Sequence, residues 1–219
     1  MVELKNKRVL VVGASGGIGG AAADAFSAAG ADVARPGRDE LDLLDDTRIA
    51  AFFGSQAPFD HVVIAAAATK TGSVARLAEA DAEAAMNSKF FGAYRVAKAA
   101  KINDGGSLTF VSGFLSTRPS ASSVLQGAIN AALEALARGL ALERAPVRVN
   151  AVSPGLVDTK LWSGMAEADR QAMFEGAAKR LPVRRVGRAE DIAQAILFVA
   201  TNSFVTGATV TVDGGGTIA

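Results

Sequence analysis

The chain has no cysteine and a single histidine, His61, in 219 residues. Without thiols there is no disulfide framework, no thiolate nucleophile and no cysteine-based zinc site. One histidine cannot form a cluster, and no metal site is indicated. A strong charge of either sign is also missing: 23 Lys and Arg stand against 22 Asp and Glu, for a net charge of +1. The basic residues are spread along the chain, so no electrostatic footprint for a nucleic-acid backbone or an anionic membrane is present. No apolar run approaches the roughly 20 residues needed to span a bilayer. The N-terminus passes from Lys5, Lys7 and Arg8 directly into a strand-like segment with no cleavage site, so a soluble, unexported, cytoplasmic protein is expected.

What the chain does have is apolar content, 50% of its residues, enough for one substantial core. A single domain over residues 1–219 is expected. Short apolar runs at Arg8–Val12, Val33–Arg35, Leu41–Leu43, His61–Ala66, Ser107–Ser112, Arg148–Val152 and Thr209–Val212 read as strands. Helical patterns at 19–29, 46–54, 73–84, 86–101, 124–143, 165–178 and 189–201 lie between them, although almost nothing separates the second and third strands. Alternation of this kind implies an α/β, Rossmann-type doubly wound parallel sheet with helices on both faces.

The first strand runs into VGASGGIGG, which places Gly13, Ser15, Gly16, Gly17, Ile18 and Gly19 in the turn before the first helix. Glycines let the backbone approach a pyrophosphate, and unpaired amides at a helix N-terminus favour that anion. Any tight strand-to-helix turn would show a similar pattern, so context has to decide.

That context resembles the short-chain dehydrogenase/reductase family. Three glycines at this spacing followed by Ile18 match its signature turn. Asp42-Leu43 is similar to its adenine-contacting pair, and Asn87 to the Asn of its fourth helix. Residues 150–159, NAVSPGLVDT, match its nicotinamide-cradling segment, with Pro154, Gly155, Val157 and Thr159 as cofactor contacts. Val186-Gly187-Arg188, Glu190–Ala193, Thr206-Gly207 and Val212–Gly215 match its C-terminal pattern. The Asn-rich turn after its fourth strand is altered here to Ile64-Ala65-Ala66-Ala67, and Ala65, Ala66 and Ala67 are expected at the cofactor.

An acidic residue at the end of the second strand would bind the ribose and repel a 2′-phosphate. That position falls on Gly37, flanked by Arg35 and Arg38. Guanidinium groups hold phosphate bidentately, so NADP(H) is the expected cofactor; solvated loop arginines are the plain alternative.

The family's chemistry uses a Ser on the substrate oxygen, a Tyr as proton donor and a Lys that lowers the Tyr pKa. Alignment of residues 130–143 with the family helix places Gln126 at the Tyr and Asn130 at the Lys. Ser112 lies beside the expected Ser, although the usual spacing lands on Gly113. An amide does not ionise in the working range, so general acid catalysis is lost at 126. The expected activity is therefore NADPH-dependent reduction of a small-molecule carbonyl, with Ser112, Gln126 and Asn130 polarising the oxygen, Asn87 beside them and water as proton source. The rival expectation is a catalytically silent NADP(H) sensor or regulatory protein.

Other polar and aromatic residues read more plainly. Tyr94 is a packing or interface residue, Lys89 and Lys98 are surface charges, and His61 sits at the solvent end of a strand. Phe114 and Leu115, with Trp162, Met165, Met173 and Phe174, form either a pocket wall or ordinary core. The resemblance also implies a homo-oligomer, a dimer or tetramer, formed through the helices at 86–101 and 124–143.

Overall fold

The computed structural model describes residues 3–219. Six parallel strands form the central sheet: β1 (Arg8–Val12), β2 (Asp32–Ala34), β3 (Phe59–Ile64), β4 (Ile102–Val111), β5 (Arg148–Pro154) and β8 (Thr209–Val212). Their spatial order is β2-β1-β3-β4-β5-β8. Two short strands, β6 (Val157–Asp158) and β7 (Gly187–Arg188), pair separately.

Side chains alternate across a strand, and β1 makes this visible. Leu10 and Val12 enter a core with Phe53 of α2 (Asp46–Ser55), Val96 of α4 (Gly92–Ala99) and Leu133 of α5 (Val124–Glu143). Val9 and Val11 enter a second core with Phe26 of α1 (Gly17–Ala28) and Ile196 of α7 (Ala189–Thr201). The sheet is thus covered on both faces, as a buried parallel sheet requires. The remaining helices are α3 (Glu79–Met86) and α6 (Glu167–Arg180).

Several expectations shift. Leu41–Leu43 is not a strand: Leu41 N donates to Gly37 O at 3.0 Å, and Asp42 Oδ1 accepts from Leu44 N at 3.0 Å, so the segment is held as turns. The helix expected at 73–84 begins only at Glu79. Between α3 and α4 the chain makes one π turn, Asn87–Phe91, a local widening that alters which side chains face inward. His61 lies inside β3, buried, with Nδ1 2.9 Å from Ser107 Oγ and Phe26 stacked beside it at 6.1 Å. Desolvation, helped by the Arg148 charge, lowers its pKa to about 4, so it is a neutral core residue.

The chain leaves β1 for β2 on one side and returns to β3 on the other, so the strand order reverses beside β1. Crevices at such switch points, outside the carboxyl ends of the strands, are where this architecture takes ligands.

Candidate active site

At that crevice, α1 begins with Gly16 as N-cap, without a side-chain cap and without an acidic residue in its first turn. Its leading amides are thus left for an anion. Gly13 has φ +92°, and a Cβ there would come within 2.6 Å of Ala66 N. A Cβ on Gly17 would meet the Thr159 side chain at 2.7 Å, and one on Gly19 would collide with the Gly13 carbonyl. The turn, Ala65-Ala66 and Thr159 are therefore packed together around a cradle that fits a dinucleotide pyrophosphate. Ser15 and Gly16 are exposed along it, and Ile18 packs into the second core.

Arg35 follows β2, with Nη1 donating to Asp24 Oδ1 at 2.7 Å and Nη2 to Ser27 Oγ at 3.0 Å, while Arg38 is exposed. Two residues assigned to the cofactor by resemblance turn elsewhere. Leu43 is buried in the first core, its Cβ only 2.9 Å from where a Gly92 Cβ would stand. Val157 is buried in the second. Both fill hydrophobic space beneath the crevice. Pro154 and Gly155 end β5, with Gly155 N donating to Val212 O at 3.0 Å, and Ala67 is exposed.

Gln126, Asn130 and Glu134 recur every four residues of α5, hence on one face, and all three are buried. Glu134 Oε1 accepts from Ser112 Oγ at 2.8 Å and from Ser116 Oγ at 2.7 Å. The Ser112 hydroxyl, expected on the substrate oxygen, is therefore committed to a carboxylate below. Gly113, which the usual family spacing picks out, faces Asn130 instead: a Cβ there would lie 2.7 Å from Asn130 Nδ2. Asn130 Oδ1 accepts from Lys89 Nζ at 2.6 Å, and that ammonium also donates to Ser112 O at 3.0 Å.

Lys89 is thus not a surface charge but a partly buried member of the cluster, carried inward on the π turn. Its desolvation lowers its pKa to about 8, against an opposing pull from Glu134. The spacing 126, 130, 134 could have revealed Glu134 from sequence, since a polar stripe on an otherwise apolar helix is anomalous. Lys89 had no such signal.

Gln126 Nε2 donates to the Lys70 carbonyl, and Oε1 is buried without a partner. An unpaired buried acceptor is costly, so this oxygen is a point at which a ligand donor would be welcome. Asn87 Oδ1 accepts from Arg95 Nη2 at 2.8 Å, so its carbonyl is turned to a neighbouring side chain instead of the cleft. Phe114 and Leu115 line a cavity of about 200 Å³ together with Arg118, Ala177, Arg180 and Leu181. Trp162 packs edge-on against Phe174 at 6.5 Å and donates to Val157 O, so those aromatics brace one another.

The family model described as enoyl-(acyl carrier protein) reductase matches residues 40–217. The chain is 31% identical to a short-chain dehydrogenase/reductase, ucsE, of Acremonium sp, over 99% of this chain and 97% of that protein. A small-chain dehydrogenase solved in complex with NADPH is 38% identical, with a TM-score of 0.94 over 97% of this chain and 99% of the other. An NADPH-bound short chain oxidoreductase from Pseudomonas aeruginosa PAO1, described as containing an atypical catalytic center, is 26% identical, with a TM-score of 0.90 over 98% of both chains. The chain belongs to the short-chain dehydrogenase/reductase family of oxidoreductases.

Proposed function

We propose that this protein is an NADPH-dependent reductase of a carbonyl-containing small molecule, in which Gln126 and Asn130 stand where the family carries its Tyr and Lys. The observation that carries the reading is the uncapped, glycine-lined start of α1 at the switch point, with two arginines just beyond β2. Reduced nicotinamide bound there would supply a hydride to the carbonyl carbon. The chain's part is to hold the cofactor on the α1 amides, Thr159 and Pro154-Gly155, and to select the 2′-phosphate through Arg35 and Arg38. Asn130 presents amide N–H to the cleft beside Gly113, and Gln126 offers its free oxygen to a hydroxyl or carboxamide donor. Water supplies the proton.

General acid catalysis contributes about 10²–10⁴-fold and positioning about 10⁵–10⁸ M in effective molarity, so the reaction is slow but accessible. Calorimetry with NADPH and NADH, followed by NADPH absorbance in the presence of ketones, aldehydes and quinones, tests this. Preferred NADPH uptake with turnover of one carbonyl class is expected; equal uptake of both nucleotides refutes the cofactor assignment.

The rival reading, a silent NADP(H) sensor, draws on one observation: the Gln126 amide donor is already spent on the Lys70 carbonyl. Tight NADPH binding with no oxidation across the panel would favour it. Self-association is part of the same proposal. Ala128, Ala131, Ala135 and Gly139 leave an exposed small-residue stripe on α5, and Ala135 and Gly139 line a groove shared with Tyr94 and Lys98 of α4. Light scattering should return a dimer or tetramer mass; one near 22 kDa removes the claim.

A further inference from the structure

Five polar residues form an unbroken chain beneath the cleft. Ser112 and Ser116 donate to Glu134, Lys89 reaches the Ser112 carbonyl, and Lys89 also holds Asn130 Oδ1. Buried polar groups are costly unless paired, and a charge more so. An ammonium desolvated here needs a reason beyond solubility.

We propose that Lys89 is a positioning residue for this site: held against Asn130 Oδ1, its ammonium fixes the Asn130 amide with Nδ2 turned toward Gly113 and the cleft, supplying from the π turn a positive charge that α5 lacks at position 130. The inference rests on the reading of the cleft as the reaction site.

A side-chain amide can flip, exchanging acceptor for donor, and only a donor on the substrate side stabilises a carbonyl oxygen as negative charge develops on it. An ammonium has no acceptor, so Lys89 permits only the orientation with Oδ1 toward itself. A cation on the amide oxygen also polarises the N–H bonds at the other end.

From the elements packed against Lys89, the charged group acting on it is Glu134 of α5. The end of β4 adds the Ser112 carbonyl, and the turn after it adds the Ser116 hydroxyl on Glu134. Arg95, further along the same helix, is taken up by Asn87 and Asp46. With its pKa lowered to about 8, Lys89 is charged at neutral pH and loses its proton as the solution passes through that value. Below about pH 8 only the orientation with Oδ1 toward Lys89 is open to Asn130; above it the neutral amine still donates but also gains a lone pair, so the opposite orientation becomes allowed.

The test is the Asn130 side-chain NH₂ resonance in ¹⁵N–¹H spectra of the free protein, assigned by its loss in Asn130→Ser and followed from pH 6 to 10. A shift with a midpoint near 8 is expected in the wild type, absent in Lys89→Met. In Lys89→Arg, which stays charged, the low-pH position should persist to pH 10. An Asn130 resonance at pH 6 that keeps its wild-type position in Lys89→Met, or in Lys89→Gln should the Met variant not fold, overturns the proposal, whether or not any carbonyl is reduced. A second readout uses a carbonyl that the wild type reduces with NADPH: kcat/KM should fall above about pH 8, and Lys89→Arg should remove that limb. Lys89→Met should lower kcat at pH 7 by about 10- to 100-fold, the scale of a misplaced group, with a smaller change in KM. A resonance that titrates while no carbonyl is reduced upholds the Lys89–Asn130 coupling and overturns the reductase reading alone.

Discussion

Substituting Asn130 by Lys, the residue that the family resemblance places there, should damage this protein, because a cation already occupies the neighbourhood. Lys89 Nζ lies 2.6 Å from Asn130 Oδ1, so a lysine at 130 would bring two ammonium groups to about 4 Å. At an effective dielectric constant near 20 that repulsion is about 4 kcal/mol. Glu134 offsets part of it, leaving about 2–3 kcal/mol. Urea unfolding at pH 7 of the wild type, Asn130→Lys, Lys89→Met and the double variant closes a thermodynamic cycle. The double variant should be more stable than the sum of its single changes by that 2–3 kcal/mol, because it again holds one cation over Glu134. Raising the pH to 10 should restore much of the Asn130→Lys loss, as one of the two amines gives up its proton. Additivity within about 0.5 kcal/mol, the behaviour of independent sites, would refute the picture of a charge transferred from α5 to the π turn.

Arg35→Ala and Arg38→Ala should each weaken NADPH binding by about 10- to 100-fold, the worth of a hydrogen bond to a charged group, and leave NADH binding unchanged in calorimetry. Asp24→Asn should strengthen NADPH binding less than tenfold at low salt, since it frees Arg35 from an exposed ion pair. Stability should fall as the pH drops. His61 titrates near 6.5 when unfolded and about 4 when folded, so the unfolded chain takes up the extra proton between those values. About 2–3 kcal/mol should be lost between pH 7 and 4.5, and urea unfolding of His61→Gln should show a flatter profile over that range. Gly13→Ala, forced into φ +92° against Ala66, should lower the thermal midpoint by an amount equivalent to about 1–3 kcal/mol. An unchanged midpoint would mean that the turn relaxes.

Much of the fold was legible because periodicity is strong where burial is one-sided or complete. The α5 and α7 boundaries, and those of β1 and β8, fall where the pattern places them. The Leu41–Leu43 segment misled because Leu41 and Leu43 are core residues delivered by turns, and local hydrophobicity cannot tell a strand from an anchored turn. At the site, the glycines were readable since their reason is backbone geometry. Most of the second tier was not. His61 and Lys89 have polar side chains that residue type assigns to solvent, and tertiary packing alone draws them inward, whereas Glu134 left a trace in the four-residue polar spacing of α5. The π turn hid Lys89 further, because it breaks the 3.6-residue repeat on which a facing argument depends.

The segment between β3 and α3 is fastened at three unrelated places: Ala68 N to Ser88 Oγ, the Lys70 carbonyl to Gln126, and the Lys70 ammonium to Asp81. Such a segment behaves as a wall and not as a door. Exchange of small molecules with bulk solvent is then expected along the rim ahead of α6, where Leu161 and Met165 stand uncovered. The traffic rate through the crevice should respond to changes on that rim and be indifferent to the length of the Lys70 side chain.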